Sequence, residues 1–501
     1  MPHQTAPPRP AAAPAPAGAH RASVALSLFG LLALIGALFA PGSATAAPPA
    51  PTPQAEAAID WLAAQLAANG DTMPASFGPG TDWGLTMDAV LAFVAAGRGS
   101  DAQAETTTDV LSQPANVAAY TTWTAGADTV RDAGPTGKTV LTLLSMGRST
   151  TVGGTDLEAV LRGLMETTGV QTGRFSDDVP DPTWNASNGF GQSLSMLALA
   201  LTDDGVPTQA IDFLVAQQCP AGGFRLTYGS TASCTDDTQA DTDTTGLSLQ
   251  ALLAVPRTAA VQAALEDGIS WLLGIQGSDG SFGGTGPTAS PNSNSSGVIA
   301  QFLRAAGATT AADRAADYVT TLQLTPANTA GTPAAGEDGA IAYNPTGFAS
   351  ALTDGITTQM GDQWRRATSQ AVLALGLSPY GVQDVDPVTT TTTTSTTTSS
   401  TTTVPTSTTT APTPTTAAPT TLAPPSSSPT TTLGPSGGNG SAVDSLGASR
   451  GGASTGRNGT GSGALARTGD DAAPLAGLGV VLLVAGAAVA AAGRGRRDER
   501  S

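Results

Sequence analysis

Between residues 56 and 380 the chain alternates two kinds of apolar segment. In the first kind, apolar positions recur at helical spacing and leave one face polar. They read Ala57/Ile59/Trp61/Leu62/Leu66, Leu157/Leu161/Leu164, Ile211/Leu214/Val215, Ile269/Leu272/Leu273 and Tyr318/Val319/Leu322. That spacing predicts amphipathic helices with one buried stripe. Segments of the second kind are apolar or small almost all round: Met87/Val90/Leu91/Val94, Val140/Leu143/Leu144, Leu194/Leu197/Leu199, Leu249/Leu252/Leu253, Val298/Phe302/Leu303 and Val372/Leu373/Leu375. A helix with so little polar surface is predicted to be buried on every side.

The second kind recurs from similar starts: Gly84-Leu85-Thr86, Gly137-Lys138-Thr139, Gly191-Gln192-Ser193, Gly246-Leu247-Ser248, Gly297-Val298-Ile299 and Arg366-Ala367-Thr368. The starts fall roughly every 50 residues, the signature of stacked supersecondary units. The last gap is longer and predicts an insertion in the loop before the final helix. The second repeat has the weakest first helix. Six helix pairs predict an all-α fold, an α/α toroid over 56–380 with amphipathic helices outside and apolar ones inside. An open solenoid would expose polar terminal caps, and the pattern has none.

Two turns between the helices read Q-x-x-x-G-x-F: Gln218 to Phe224 with Gly222, and Gln276 to Phe282 with Gly280. This resembles the Q-x-x-x-G-x-W repeat of squalene and terpene cyclases and the related repeat of protein prenyltransferases. The resemblance implies the same α/α toroid. It also sets Asp241-Thr242-Asp243-Thr244-Thr245 against the cyclases' D-x-D-D-T-A, with Asp243 in the place of the protonating acid and Thr244 replacing its acidic neighbour. Cobalamin carriers of the intrinsic-factor type look like relatives of this toroid as well.

The ends of the chain carry different signals. Val24–Ala40 is an apolar run after Arg9 and Arg21, followed by Ala44-Thr45-Ala46. It reads as a signal peptide over 1–46. Residues 47–55 read as a Pro/Ala leader. Residues 382–463 are first Thr/Ser/Pro-rich and then Gly-rich, the composition of a glycosylated, flexible stalk. Leu465-Ala466-Arg467-Thr468-Gly469 precedes an apolar stretch over 474–493, long enough to span a bilayer, and an Arg-rich tail over 494–501. Together these resemble the sortase sorting signal of Gram-positive surface proteins in its L-A-x-T-G form. The resemblance implies cleavage after Thr468 and transfer to cell-wall peptidoglycan, with the membrane held only before sorting. Sortase and peptidoglycan are the expected partners, and the expected location is secreted, at the cell wall.

Composition narrows the chemistry. The formal charge of −18 argues against nucleic acid, whose phosphates need Lys and Arg. Lys138 is the single lysine, and both histidines, His3 and His20, precede the predicted cleavage site. A His-dependent triad or a His zinc site is therefore excluded from the mature chain. Cys219 and Cys234 are expected to form a disulfide, as secreted cysteines do. Aromatics are 4%, too few to line a cavity for carbocations.

Several residues keep two readings. Asp241 and Asp243 are helix caps or ligand-binding or acid–base groups. With Asp236 and Asp237 they also form an oxygen-rich cluster that calcium favours. Ser193 and Ser248, with Thr86, Thr139 and Thr368, are a hydroxyl ring facing a central cavity or small residues packing helices together. Trp83, Trp184 and Trp364 are core, or rim residues that stack on a sugar or other flat ligand; Trp61, Trp123 and Trp271 read as core. The composite expectation is a monomeric toroid that binds an unknown ligand and needs no cofactor. A carboxylate-dependent enzyme and a small-molecule carrier are the alternatives. Substituting Thr468→Ala is expected to leave the protein in the membrane or the medium, read by fractionating wall digests; equal wall-bound amounts of both forms would contradict the sorting signal.

Overall fold

The computed structural model describes residues 51–381, apart from 77, 78 and 126, together with 388. The expected signal peptide, most of the expected stalk, the pentapeptide, the apolar stretch over 474–493 and the basic tail lie outside the described residues. Among the described residues no helix is long and apolar enough to cross a membrane.

Six helix pairs follow one another. The first is α1 (Pro53–Ala68) with α2 (Trp83–Ala95). α1 begins inside the expected leader, because Thr52 caps it by accepting the Ala55 N–H and Pro53 suits a first helical position. In the second repeat the outer helix is split at Pro114 into α3 (Ala102–Leu111) and α4 (Pro114–Thr121). That break explains the weak pattern there. A hairpin, Thr122–Ala125 with Asp128–Arg131, then leads to α5 (Ala133–Ser145). The third and fourth pairs are α6 (Leu157–Gly163) with α7 (Gly189–Ala200), and α8 (Thr208–Ala216) with α9 (Thr242–Leu253). The fifth is α10 (Ala259–Ile275) with α11 (Ser293–Ala305). In the sixth, α12 (Thr309–Thr320) is separated from the inner helix by α13 (Pro326–Thr329) and α14 (Pro345–Asp354). The inner helix is α15 (Gly361–Ala371). The expected loop insertion thus carries two short helices in an otherwise irregular connection.

Helices α2, α5, α7, α9, α11 and α15 each pack on the next, and α15 packs back on α2. The inner ring is closed, and the fold is an all-α toroid. Inner helices are buried nearly all round, whereas outer helices bury one stripe. Leu273 departs from the expected stripe: it is exposed, and its neighbour Leu272 takes the buried position.

The Q-x-x-x-G-x-F turns explain how the repeats join. Gln218 Nε2 donates to the Gly222 carbonyl of its own turn and to Ala264 O on the next outer helix, at 2.9 and 2.8 Å. Gln276 repeats this with Gly280 O and Ala311 O, and Gln323 with Gly339 O and Gln54 O. Glycines 222, 280 and 339 have φ of +109°, +89° and +96°. A Cβ added there would fall 2.5, 2.1 and 2.0 Å from the carbonyl oxygens of Asp267, Arg314 and Ala57. Gly173, with φ +96°, meets Gln209 O in the same way, and Gln192 supplies the carboxamide. The sixth turn therefore docks on the first outer helix as the third, fourth and fifth turns dock on their successors.

The same turns fix the inner helices. The backbone N–H groups of Met73, Phe224, Phe282 and Ile341 donate to the hydroxyls of Thr86, Thr245, Ser296 and Thr368, at 2.7–2.9 Å. Phe175 N donates to Gln192 Oε1. This corrects the register read from the sequence. The recurring hydroxyl position is not Thr139, Ser193 or Ser248. The aligned glycines sit at unequal distances from the helix caps because they answer local crowding. A Cβ at Gly137 would lie 2.4 Å from Ser195 Oγ, and one at Gly297 2.0 Å from Gln370 O.

The chain after α15 crosses the C-terminal end of the ring. Ser378 N donates to Ala95 O, Gln301 Nε2 to Ser378 O and Tyr380 N to Gln250 Oε1. Gly381 passes against Leu197. Gly339→Ala is expected to cost about 2–4 kcal/mol, from left-handed strain plus backbone overlap. Gly331→Ala, also at positive φ but with open space around it, should cost only about 1 kcal/mol. Urea unfolding of both variants checks the contrast.

Candidate functional site

The N-termini of the inner helices gather at one end of the ring, opposite the crossing segment. Each start needs acceptors for its unpaired N–H groups, so this mouth is rich in Asp and Asn. Asp82 Oδ1 accepts from Leu85 N, Asn188 Oδ1 from Phe190 and Gly191 N, and Asn292 Oδ1 from Ser295 N. Asp132 stands at the cap of α5, and its Oδ1 accepts the Trp123 indole N–H at 3.0 Å. The first N–H of α5, from Ala133, is held instead by Asp177 Oδ1 at 2.8 Å, while Asp177 Oδ2 takes the Ala186 N–H. Burial pushes the Asp177 carboxyl above its ordinary value, and these N–H groups oppose the shift.

Asp241 is the cap of α9. Its Oδ1 accepts from Thr244 N at 2.7 Å and its Oδ2 from the Thr285 hydroxyl. Both oxygens are engaged and the residue is buried. Asp243 is not the cap; it lies in the first turn and is partly exposed. The turn at Gly284 passes over it, and a Cβ there would come 2.9 Å from Asp243 Oδ2. Asp236 accepts from Thr238, and Asp237 Oδ1 from Ala221 N. Among the described residues no group of three or more acidic, Cys or His side chains is placed to hold a metal. The calcium cluster suggested by the sequence is therefore not assembled.

Ser193 and Ser248 are fully buried, 3.1 Å apart, and Ser193 also donates to Gly189 O. They join α7 to α9 rather than facing solvent. Trp364 is buried as well. Trp83 is half-buried against Met87, Val90 and Leu111. Trp184 alone of the three rim candidates is well exposed, at 42%, on the short turn Pro182–Trp184. Its ring centroid lies 6.2 Å from that of Trp123 with a tilt of 38°. Sequence reasoning treated Trp123 as core; its strand position beside the α5 cap makes it a rim residue.

The Cys219–Cys234 disulfide is present, with a Cα–Cα distance of 4.7 Å. It ties the loop before α9 to the Gly222 turn. Within the loop that it closes, Tyr228 is buried beneath the guanidinium groups of Arg174 and Arg225, at 5.3 and 5.9 Å.

Sequence reasoning missed a buried ionic cluster between α15, α2 and α5. Arg366 bonds Asp82 and Asp362, and Lys138 Nζ lies 2.5 Å from Asp88 Oδ1. The available signal was charge inside helices that are otherwise apolar. Burial opposes the Asp82 charge, but the Arg366 guanidinium and the Leu85 N–H more than offset it and hold the carboxyl below its ordinary value. Burial pushes the Asp88 carboxyl up, with Lys138 opposing.

Solved structures similar to this chain include the following three. Unsaturated glucuronyl hydrolase from Bacillus sp. GL1 has 15% identity and a TM-score of 0.43, over 66% of this chain and 98% of that one. The type II terpene cyclase MstE from Scytonema has 16% identity and 0.43, over 64% and 97%. A protein from Actinoplanes has 18% identity and 0.41, over 64% and 97%. No family model matches the chain, and no curated protein does. The ring is established by its own helix contacts, and no residue role rests on these likenesses.

A carboxylate held below its unfolded value stabilises the fold above that value, and the stability is lost as pH falls through the folded one. Wild-type stability should therefore fall from about pH 4 downward as Asp82 takes up its proton. Asp82→Asn should be weaker at neutral pH and lose less over that acid range. Chemical denaturation across pH measures both slopes.

Proposed function

We propose that the toroid is a ligand-binding module whose rim on the second and third repeats takes a neutral sugar or a similar flat polar ligand. The observation that carries this reading is the Trp123–Trp184 pair. Trp184 is open to solvent, and Trp123 is fixed by its N–H bond to Asp132. An immobile aromatic face beside a few polar groups suits a ring-shaped ligand that is apolar on its faces and polar at its edge. Asp128, Asp178 and Asp181 lie exposed around this rim, which disfavours acidic ligands.

A carboxylate-dependent enzyme would use the same mouth. It needs an acid and a base with free oxygens, and Asp241 gives both of its oxygens to Thr244 and Thr285. The nominated Asp241–Asp243 pair thereby loses one member, so binding is the better-supported reading.

The proposal extends to location: a secreted chain, anchored in the wall through Thr468 after a stalk. The crossing segment supports this arrangement, because Val388, the last described residue, is buried with its N–H on Ala306 O at the C-terminal end of α11, away from the mouth. A stalk continuing from there would present the mouth outward.

A panel of neutral and uronate-containing oligosaccharides, titrated by calorimetry, tests the module. The expected result is binding of neutral members, reduced about tenfold or more by Trp184→Ala with an unchanged melting temperature. Unaltered affinity in that variant would contradict the rim. Turnover of the titrated sugar, lost in Asp243→Asn, would favour the enzyme.

A further inference from the structure

The ionic cluster contains two very different cations. Arg366 is well served: its guanidinium donates to Asp362, Asp82 and the Ser76 hydroxyl. Lys138 is not. Its side chain is 1% exposed, and among the described residues Asp88, 5% exposed, is its one ion-pair partner. Asp88 in turn has no side-chain partner there besides Lys138. An ammonium group carries three donors. Burying it with a single acceptor leaves most of its lost hydration uncompensated, and a buried ion pair is favourable only with good additional hydrogen bonds. The surroundings offer little relief. Tyr380, from the segment crossing the ring, is buried within electrostatic reach of Asp88, and its hydroxyl has no hydrogen-bond partner among the described residues.

We propose that Lys138 and Asp88 condense in the folded protein to an amide, a covalent cross-link between α5 and α2. The balance is closed within the pair. Lys138 Nζ passes one proton to the Asp88 carboxylate, giving a neutral amine and a neutral acid. Burial favours that exchange, because it penalises both charged forms. The amine attacks Cγ of Asp88, the Nζ–Cγ bond forms and one Cγ–O bond breaks. The departing oxygen keeps the proton already received, takes a second from Nζ and leaves as water. No oxidant, cofactor or activated donor is needed. Fixing Lys138 Nζ 2.5 Å from Asp88 Oδ1 on packed helices holds the amine beside the carboxyl it attacks and replaces the encounter that such a condensation lacks in free solution. The product is one neutral amide in place of two buried charges.

The position also has a structural logic. The Gln-and-Gly stitch joins the third repeat to the fourth, the fourth to the fifth, the fifth to the sixth and the sixth to the first. Among the described residues neither the first-to-second nor the second-to-third junction carries this stitch. At the first of these Gln103 Nε2 donates to Asp71 Oδ1 instead, and Lys138 and Asp88 span the same junction.

The test is a tryptic map of the full-length secreted protein after reduction and denaturation. Trypsin does not cut after an acylated lysine. The expected species joins the 132–148 peptide to the peptide ending at Arg98 and is lighter by one water than their sum. No peptide ending at residue 138 should appear. Lys138→Arg keeps the charge but lacks the amine; it should give no joined species and should cleave at residue 138. If wild-type protein is cut fully after Lys138 and both peptides are recovered at their separate masses, the pair is ionic only and the proposal is overturned.

Discussion

The approach of a turn glycine to the backbone of the next outer helix sets the angle and spacing between repeats. At Gly222, Gly280 and Gly339 the carbonyl of the neighbouring helix occupies the space of a side chain. Left-handed φ and the missing Cβ are both required, and only glycine supplies them cheaply. A glutamine on the same turn then bonds the turn and the neighbouring helix together. Four of the six junctions, from the third repeat round to the first, are built this way. The last of them brings Gly339 onto Ala57 and Gln323 onto Gln54, which closes the ring rather than leaving a spiral.

Closure determines where polar chemistry can sit. The inner helices are buried along their lengths, so their unpaired groups appear at the two ends. The C-terminal end is crossed by Ser378–Gly381, which bonds to α2, α9 and α11. The N-terminal end keeps the caps, and the rim there is shaped by the hairpin at Thr122–Arg131 and the turn at Trp184. Closure also brings α15 against α2, and with it Arg366 against Asp82. That contact stands at the seam between the last repeat and the first, where charges from distant parts of the chain meet out of water.

Much of this was legible in the sequence. Helix type followed from the apolar pattern, because burial on one face or on all faces leaves different spacings. The toroid followed from six such pairs. The caps were legible as Asp and Asn before apolar runs, although Asp241 rather than Asp243 took the role. The hydroxyl register was misread because glycine was used as the ruler, and glycines 137 and 297 mark crowding between inner helices rather than a fixed distance from a cap. Trp123 was misread because a four-residue strand after a proline-broken helix carries almost no periodicity. The Lys138–Asp88 contact joins residues fifty positions apart on different helices (138 and 88). Single-sequence spacing cannot pair them, though each is conspicuous as a charge in an apolar segment.

The central claim is that the first and last repeats are in contact. Trp61 on α1 donates its indole N–H to Glu337, 276 residues away and beside the Gly339 turn, at 2.7 Å. A double-mutant cycle of Trp61→Phe and Glu337→Ala isolates that contact from the rest of each side chain. A closed ring predicts a coupling of about 1 kcal/mol or more, as for a hydrogen bond to a charged acceptor. Strict additivity of the two substitutions would mean that the ends do not meet and that the ring is open.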